Sequence, residues 1–396
     1  MKRPGIDRLS SIEPVAAFLE PSHSELAKQV GSFCKHELLN ETEPQSDKEA
    51  RTVARKWLKL VGGKGVLSPL ALEDLRGFCL TREAIASYSP LVDAVVAIQA
   101  LVATSLQLAG SKKQQALWLD GIVTGQIMAA FAMTEPEAGS DVAAISTTAT
   151  KDTNGWVLNG QKHLISNAGI ADLYLVFAAT SLKAGSRGLS AFLVPSNTQG
   201  LVYTGTQIAA AGHPLGQISL DDCSVPSDAL LGSLNGGFKL GMMTLDRLRP
   251  SVGAAACGMA SRALVESLQH VTSRRQFGEP LERFQLIREK IGRMSTLLEA
   301  ARLLVYRAAW CHDQGKRITL ESAMAKSFST EAAQSIIDEG LQIAGGLGVV
   351  VGHPLERLYR AVRALRIYEG TTEIQRLIVA GELLGSQPLG NRDKQS

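Results

Sequence analysis

The ten residues 366–375, with the sequence RIYEGTTEIQ, place one carboxylate directly before a glycine and ahead of an amphipathic run. Gly370 lets the backbone bend and lets a ligand approach closely. Thr372 and Gln375, three residues apart, fit a capping box at a helix start. We therefore expect Glu369 on a tight turn beside a helix N-terminus, whose free N–H groups favour anions and polar ligand edges. For these ten residues alone, a surface loop whose glutamate merely favours the helix dipole is the simpler interpretation.

Composition and charge describe an ordinary globular protein. The chain has 396 residues, 45% hydrophobic and 20% charged, which is enough for two or three domains. A net charge of +3 is too small to indicate nucleic-acid binding. The five cysteines lie far apart, which favours a reducing, cytoplasmic compartment over a metal site or a disulfide framework. We expect no signal peptide after residues 1–5 and no uncharged apolar run long enough to insert into a membrane.

The first third of the chain has the apolar spacing of helices. Apolar residues recur at threes and fours from about Pro21 to Thr124. The glycine-rich residues 62–65 indicate a loop. Ser89 suits an N-cap and Pro90 the first helical position, so this pair predicts a helix start.

The middle of the chain has the period of strands, from about Ile127 to Gly232. Asn-Gly pairs at 154–155 and 159–160 predict two tight turns. Further strands are predicted at 173–178, 189–194, 201–204 and 217–220.

Helical spacing returns after residue 236. Helices are predicted over 286–304, ended by Gly315, and over 323–344 and 373–384. Strands and helices do not alternate along the chain, which argues against a doubly wound nucleotide fold.

Four more segments carry groups that suit a ligand, but each has a structural interpretation at least as good in isolation. Residues 134–141 form a hydroxyl-rich loop or an ordinary interdomain turn. Residues 273–278 combine arginines, an amide and an aromatic ring, which suit a pyrophosphate and an adenine. The structural alternative is that they place cations at a helix C-terminus. Residues 344–348 either present bare backbone amides to a phosphate or form the glycine-ended C-terminus of a helix. Residues 245–249 place Asp246 and Arg249 on one helix face, which also fits a surface ion pair. The scattered histidines support neither a hydrolase nor a zinc enzyme.

Taken together and in this order, these segments resemble the acyl-CoA dehydrogenase family of flavoenzymes, from about Ala129 to Leu384. The resemblance implies an α+β, mostly α fold. Its parts are an N-terminal helical domain (1–127), a middle β-barrel or sandwich domain (128–235) and a C-terminal four-helix-bundle domain (236–396). It also implies bound FAD, a homodimer or homotetramer, an acyl-CoA or acyl-carrier thioester substrate, and an electron-transfer flavoprotein as acceptor.

The resemblance also assigns roles to individual residues. Glu369 is expected to be the catalytic base. The residues expected to contact FAD are Phe131, Met133, Thr134, Gly139, Ser140, Leu164, Ile165, Ser166, Arg274, Gln276, Phe277, Phe284, Gln285, Gln342, Ile343, Ala344, Gly345, Gly346, Thr371 and Glu373. Those expected to contact the substrate are Ser140, Leu245, Asp246, Arg249 and Gly370. The segments containing Arg274 and Gln342 correspond to parts that reach the FAD of a neighbouring subunit in the family.

Two positions depart from the family pattern. Many members have an aromatic residue at the position of Leu164. This difference leaves undecided how the flavin is shielded and how an electron acceptor docks. Some members carry the base where this chain has Leu248, which cannot accept a proton. That difference favours Glu369.

The chemistry of the family suits these residues. A base removes the proton alpha to a thioester while hydride leaves the beta carbon, and a carboxylate suffices if a dry site raises its pKa. The enolate oxygen needs donors, which in the family are the N–H of the base and a flavin hydroxyl. We therefore predict an acyl-CoA dehydrogenase of fatty acid metabolism. The alternatives are an acyl-CoA oxidase, a dehydrogenase of carrier-bound acyl groups, and a flavin-bearing binding protein without this activity.

Overall fold

The computed structural model describes residues 11–385, so the expectation for residues 1–5 lies outside it. The helices are α1 (Pro21–Phe33), α2 (Asp47–Gly63), α3 (Ser68–Ala71), α4 (Leu75–Tyr88), α5 (Pro90–Ala109), α6 (Lys112–Val123), α7 (Gly237–Ser273), α8 (Gln285–Asp313), α9 (Thr319–Ala344), α10 (Pro354–Leu365) and α11 (Thr372–Leu384). The strands are β1 (Ala129–Ala132), β2 (Thr148–Lys151), β3 (Gly155–Ser166), β4 (Leu173–Ala179), β5 (Leu189–Pro195), β6 (Leu201–Thr206), β7 (Leu215–Pro226), β8 (Leu230–Leu231), β9 (Arg275–Gln276) and β10 (Glu279–Pro280).

One mixed sheet contains most of the strands. Its order is β6-β7-β3-β2-β4-β5-β8, and β1 pairs with β4 in parallel. The predicted turn at 154–155 is confirmed as a hairpin, because β2 and β3 pair in antiparallel register from Lys151–Trp156 onward.

Strand β4 is buried on both faces. Leu173, Leu175 and Phe177 belong to one apolar cluster, and Tyr174 and Val176 belong to another. A strand covered on both sides needs apolar residues at every position, which explains its unbroken apolar sequence.

The chain forms two compact units. Of the described residues, the first contains 11–43, Asp74–Asp93 and 246–385; the second contains Pro44–Glu73 and Ala94–Leu245. In the first unit α9 packs against α8, α10 and α11, and α4 packs against α1 and α8. In the second unit the sheet packs against apolar residues of α5 and α6. The predicted three-domain boundaries remain a prediction.

Of two loops predicted from glycine, one is partly confirmed and one is wrong. Gly62 and Gly63 are the last residues of α2, and the turn predicted at 62–65 begins only at Lys64. A side chain at Gly62 would meet the Thr124 backbone at 2.3 Å, so glycine permits close packing there. The predicted turn at 159–160 lies within β3, which continues through it with a change of register.

Helix α5 begins as predicted. Pro90 is its first residue, and the Ser89 hydroxyl accepts the Val92 N–H at 3.3 Å. In the described part of the chain, α5 alone is long and apolar enough to cross a membrane. However, 78% of its apolar window is buried inside the protein, as in the core helix of a folded domain.

Candidate active site

Glu369 lies on a tight turn between α10 and α11, as predicted. Glu369 has a φ of 55° and Gly370 a φ of 91°, both in the region that favours glycine. A side chain at position 370 would lie 2.6 Å from the Gln375 Nε2 atom. The turn therefore needs glycine at 370 and holds Glu369 in a strained conformation, which is common where a side chain must be aimed.

The start of α11 differs from the predicted capping box. Thr371, not Thr372, is the N-cap, and its hydroxyl accepts the Ile374 N–H at 3.3 Å. The Thr372 hydroxyl instead donates to Glu331 at 2.8 Å. The Gln375 amide points back at the turn and donates to the main-chain carbonyls of Glu369 and Gly370.

The Glu369 carboxyl is placed to act as a base. Its Oε2 atom is buried and has no hydrogen-bond partner among the described residues. Burial raises the pKa of Glu369 above its ordinary value, and the nearby cations Arg82, Lys326 and Arg249 oppose that rise. A carboxylate with a raised pKa and a free oxygen suits proton abstraction near neutral pH.

A buried ion pair contributes one of these cations. The Arg82 guanidinium donates two bonds of 2.8 Å to Asp93 and one of 3.0 Å to the Ser251 hydroxyl. Because Arg82 and Asp93 are both buried, the charge of Arg82 is fixed in position relative to Glu369.

Arg249 also reaches the base, and Asp246 pairs with Arg249. Arg249 is buried, pairs with Asp246, and donates from Nε to the Glu369 carbonyl at 3.0 Å. The surface ion pair considered from the sequence is therefore wrong for Arg249. Leu245 and Leu248 are buried on the same helix, so the part of α7 predicted to contact the substrate contains mostly buried residues.

In the second unit, the predicted flavin loop follows strand β1. Phe131 lies on β1, Met133 is buried, Thr134 is half-buried, and Gly139 and Ser140 are exposed. The Thr134 carbonyl accepts the His163 N–H of β3 at 2.9 Å. The loop is therefore attached to the strand that carries the next predicted segment, which contains Leu164, Ile165 and Ser166.

That segment lies at the end of β3. Leu164 has a φ of 55°, is 51% exposed, and donates its N–H to the Gln207 side chain at 2.8 Å. Ile165 is buried in the apolar cluster below, and Ser166 is half-buried.

The segment predicted to meet a neighbouring subunit forms an exposed hairpin after α7. Phe277 and Gly278 have positive φ and form the turn between β9 and β10. Phe277 is 95% exposed and lies edge-on to Phe284 at 6.2 Å. Arg274, Gln276 and Gln285 are exposed as well.

The glycine-rich segment forms the end of α9. Gly345 has a φ of 61° and follows the last helical residue, Ala344, so the helix-end interpretation is confirmed. Ile343 and Ala344 are buried, and Gln342, Gly345 and Gly346 are exposed. On α11, Thr371 is half-buried and Glu373 is exposed.

Comparisons with known proteins identify the family. Models of the acyl-CoA dehydrogenase middle domain and C-terminal domain match residues 130–223 and 235–384. The human protein named short-chain specific acyl-CoA dehydrogenase, mitochondrial, is 37% identical over 93% of this chain and 91% of its own. This chain belongs to the acyl-CoA dehydrogenase family.

Other members of the acyl-CoA dehydrogenase family are similarly related. A 3-(aryl)acrylate reductase of Clostridium sporogenes is 40% identical over 72% of this chain and 76% of its own. The structure of butyryl-CoA dehydrogenase from Megasphaera elsdenii matches with a TM-score of 0.87 and 32% identity, over 92% of this chain and 99% of that one. The predicted family, the mostly α fold with a β domain, and the oxidoreductase class acting on CH–CH bonds are confirmed.

The residues present fit the flavin nucleotide of an acyl-CoA dehydrogenase. Gly139, Gly345 and Gly346 have open space where a side chain would stand, so a ligand can meet their backbone. Ser140 and Arg274 expose a hydroxyl and a guanidinium, which suit the polar edge of a flavin and a pyrophosphate. The individual contacts assigned to these residues remain predictions.

Several residues were missed from the sequence. They are Arg82, Asp93 and Lys326 near the Glu369 turn in the first unit, and Glu135 and Lys162 beside the predicted flavin loop in the second; Gln375 was expected only as a capping residue. The available signal was a charged or amide side chain within an otherwise apolar helix or strand, which is rarely buried without a partner.

Proposed function

We propose that this protein is an FAD-dependent acyl-CoA dehydrogenase in which Glu369 removes the alpha proton of an acyl-CoA thioester. The observation that carries the proposal is the Glu369 carboxyl, with a buried, unpartnered oxygen and a pKa raised by burial. The nearby cations Arg82, Lys326 and Arg249 donate to acceptors other than the Glu369 carboxyl. Its Oε2 atom is therefore free to accept a proton from the substrate.

The chain's own groups account for the proton transfer. The positive φ of Glu369 fixes the direction of both its side chain and its N–H, and we assign that N–H to the thioester oxygen, where charge develops. The raised pKa makes the carboxylate a stronger base toward the carbon-bound proton. When bound, FAD supplies the acceptor for the hydride of the beta carbon.

The acyl group is proposed to be short or compact. The supporting facts are the names of two relatives, the human short-chain enzyme and the Megasphaera butyryl-CoA enzyme. One relative is named a reductase, so both directions of the reaction are worth assaying. Carrier-protein thioesters belong in the same panel.

An acyl-CoA oxidase is the second candidate. Leu164 is half exposed where many family members have an aromatic ring. A smaller side chain would leave the flavin more open to oxygen. A flavin-bearing binding protein without dehydrogenase activity is the remaining alternative.

The acceptor, assembly and compartment are also proposals. We propose an electron-transfer flavoprotein as acceptor and a homotetramer. The supporting observation for the assembly is the 95% exposed Phe277 beside Phe284, because aromatic side chains are enriched at protein interfaces. We propose the cytoplasm because all five cysteines are free and buried.

An anaerobic thioester panel tests the function. Purified holoprotein is mixed with butyryl-, hexanoyl-, branched and cyclic acyl-CoA and with acyl-carrier thioesters, while flavin absorbance is followed. Rapid bleaching by at least one acyl-CoA supports the proposal, and kcat/KM then ranks the substrates. If none of them bleaches the flavin, and no enoyl-CoA reoxidises the reduced flavin, the result favours the binding-protein alternative. Peroxide release under air at the rate of dye-linked turnover would indicate the oxidase.

A further inference from the structure

The turn that carries Glu369 is held by donors from three helices. Each of its two main-chain carbonyls accepts two bonds. The Glu369 carbonyl accepts from Arg249 Nε on α7 at 3.0 Å and from Gln375 Nε2 on α11 at 3.2 Å. The Gly370 carbonyl accepts from Lys326 Nζ on α9 at 2.7 Å and from the same Gln375 amide at 3.0 Å.

Lys326 is unusual among these donors. It is fully buried, and its ammonium group has no assigned role in the family pattern described above. Burying an amine is costly unless it is paired, so a lysine at this place needs a reason. Its bond to Gly370 explains a donor at this place but not a charged one, because the neutral Gln375 amide already donates to the same carbonyl.

We propose that Lys326 is a positioning residue that fixes the orientation of Glu369 through the Gly370 carbonyl and keeps its carboxylate ionised through a buried positive charge. The catalytic part of this inference rests on the proposed function. Lys326 touches the main chain of the turn, so it acts through Glu369 and not on the substrate.

The charges around Glu369 support this assignment. Arg82 on α4, Arg249 on α7 and Lys326 on α9 all lower the pKa of its carboxyl, and Asp93 on α5 raises it. Arg82 has its charge balanced by Asp93, and Arg249 has its charge balanced by Asp246. Lys326 instead donates to the neutral Gly370 carbonyl, so its positive charge is not balanced by an aspartate in the way that those of the two arginines are.

The same environment acts on Lys326 itself. Burial lowers the pKa of Lys326 to about 8, an effect that Glu369, Glu331 and Glu373 oppose and Arg249 reinforces. The ammonium form therefore predominates near pH 7 and is lost as the pH rises through about 8. Near neutral pH the lysine is charged and able to act on the carboxylate.

Two variants separate the charge of Lys326 from its hydrogen bond. Lys326→Met removes both, and leaves the Gly370 carbonyl with its bond from Gln375. Gln375→Leu removes two bonds to the turn and no charge, and leaves each carbonyl with one donor. Lys113→Met is the lysine control, because Lys113 is exposed on α6 and pairs with the exposed Asp228.

The first readout does not depend on activity. Infrared titration of the holoenzyme follows the protonated carboxyl band that disappears in Glu369→Gln. In Lys326→Met we expect its midpoint to rise by roughly one pH unit, the low end of the effect of a nearby opposite charge. Gln375→Leu and Lys113→Met should keep the wild-type midpoint.

The second readout is the pH profile of anaerobic flavin reduction. Lys326→Met should slow reduction and move the acid limb to higher pH by the same amount, and Gln375→Leu should slow reduction without moving the limb. An unmoved midpoint and limb in Lys326→Met would overturn the proposal. If Lys326→Met does not fold, Lys326→Gln, which keeps a donor and loses the charge, is judged by the same midpoint. If no thioester bleaches wild-type flavin, the proposed function fails, and the infrared midpoint still decides the role of Lys326.

Discussion

The buried ion pair between Glu135 and Lys162 should hold the predicted flavin loop in a single conformation. Glu135 accepts from Lys162 Nζ at 2.8 Å, from the Ser146 N–H and hydroxyl at 2.7 Å each, and from the Thr147 N–H at 3.0 Å. Lys162 Nζ also donates to the Met133 carbonyl at 3.1 Å. The pair thus joins β3 to both ends of the loop that contains Gly139 and Ser140.

Replacing Lys162 by methionine should loosen this loop strongly. The side chains of Lys162 and Glu135 are at most 3% exposed. Removing one member leaves a buried charge without its counterion, which costs about 3–5 kcal/mol. For local opening of the loop, that cost corresponds to hydrogen exchange faster by roughly two to three and a half orders of magnitude.

The pair should also make the loop sensitive to acid. Although burial opposes it, the attraction of Lys162 and the donated bonds lower the pKa of Glu135 from 4.5 to about 2. Because the folded-state pKa is the lower one, this stabilisation is present above about pH 4.5 and is lost as the pH falls through about 2. Lys162→Met should shrink that acid dependence.

Hydrogen exchange of residues 133–147, measured by mass spectrometry on holoprotein, is the assay. The double variant Glu135→Gln, Lys162→Met should exchange more slowly than Lys162→Met, because no buried charge is left unpaired. FAD content should follow the same order. Exchange of this segment at the wild-type rate in Lys162→Met would refute the reasoning.

Three further predictions follow from the same structure. Gly370→Ala should slow flavin reduction by a barrier of about 1–3 kcal/mol, because an L residue at φ 91° is strained and its side chain would meet Gln375 at 2.6 Å; stopped-flow rates at wild-type speed would contradict this. Flavin reduction should increase with pH through a midpoint above 4.5, because burial raises the pKa of Glu369 and the base must be ionised; a rate that falls over that range would be inconsistent. Phe277→Ser should reduce assembly size and FAD content, seen by size-exclusion chromatography and the ratio of flavin to protein absorbance, whereas the exposed control Leu182→Ser should change neither.

The regular elements were predictable because their patterns are local. The apolar stripe of α8 and the strands β4 and β5 follow from residues a few positions apart. Ser89 and Pro90 marked the start of α5 for the same reason.

The errors arose where distant packing overrides a local preference. Asn159 and Gly160 favour a turn, but the Asn159 side chain bonds Asp222 on β7, 63 residues away, and β3 continues. Gly62 favours a loop, but it lies where α2 meets the backbone of Thr124.

The base was found from the sequence, and the contacts that support its turn were not. Glu369 stands in a recognisable local motif, whereas its neighbours come from remote parts of the chain. Lys326 is 44 residues from Gly370, and Arg249 is 120 residues from Glu369. No spacing rule connects such pairs, so only the folded structure brings them together.

The central claim is that Glu369 takes the proton, and its direct test is flavin reduction in Glu369→Gln. The exposed Glu289→Gln serves as the matched control. We predict that Glu369→Gln keeps yellow FAD and binds acyl-CoA, yet its anaerobic flavin reduction falls by roughly 10²–10⁴-fold or more, the contribution of a general base. Bleaching of the flavin in Glu369→Gln at the wild-type rate would contradict the account.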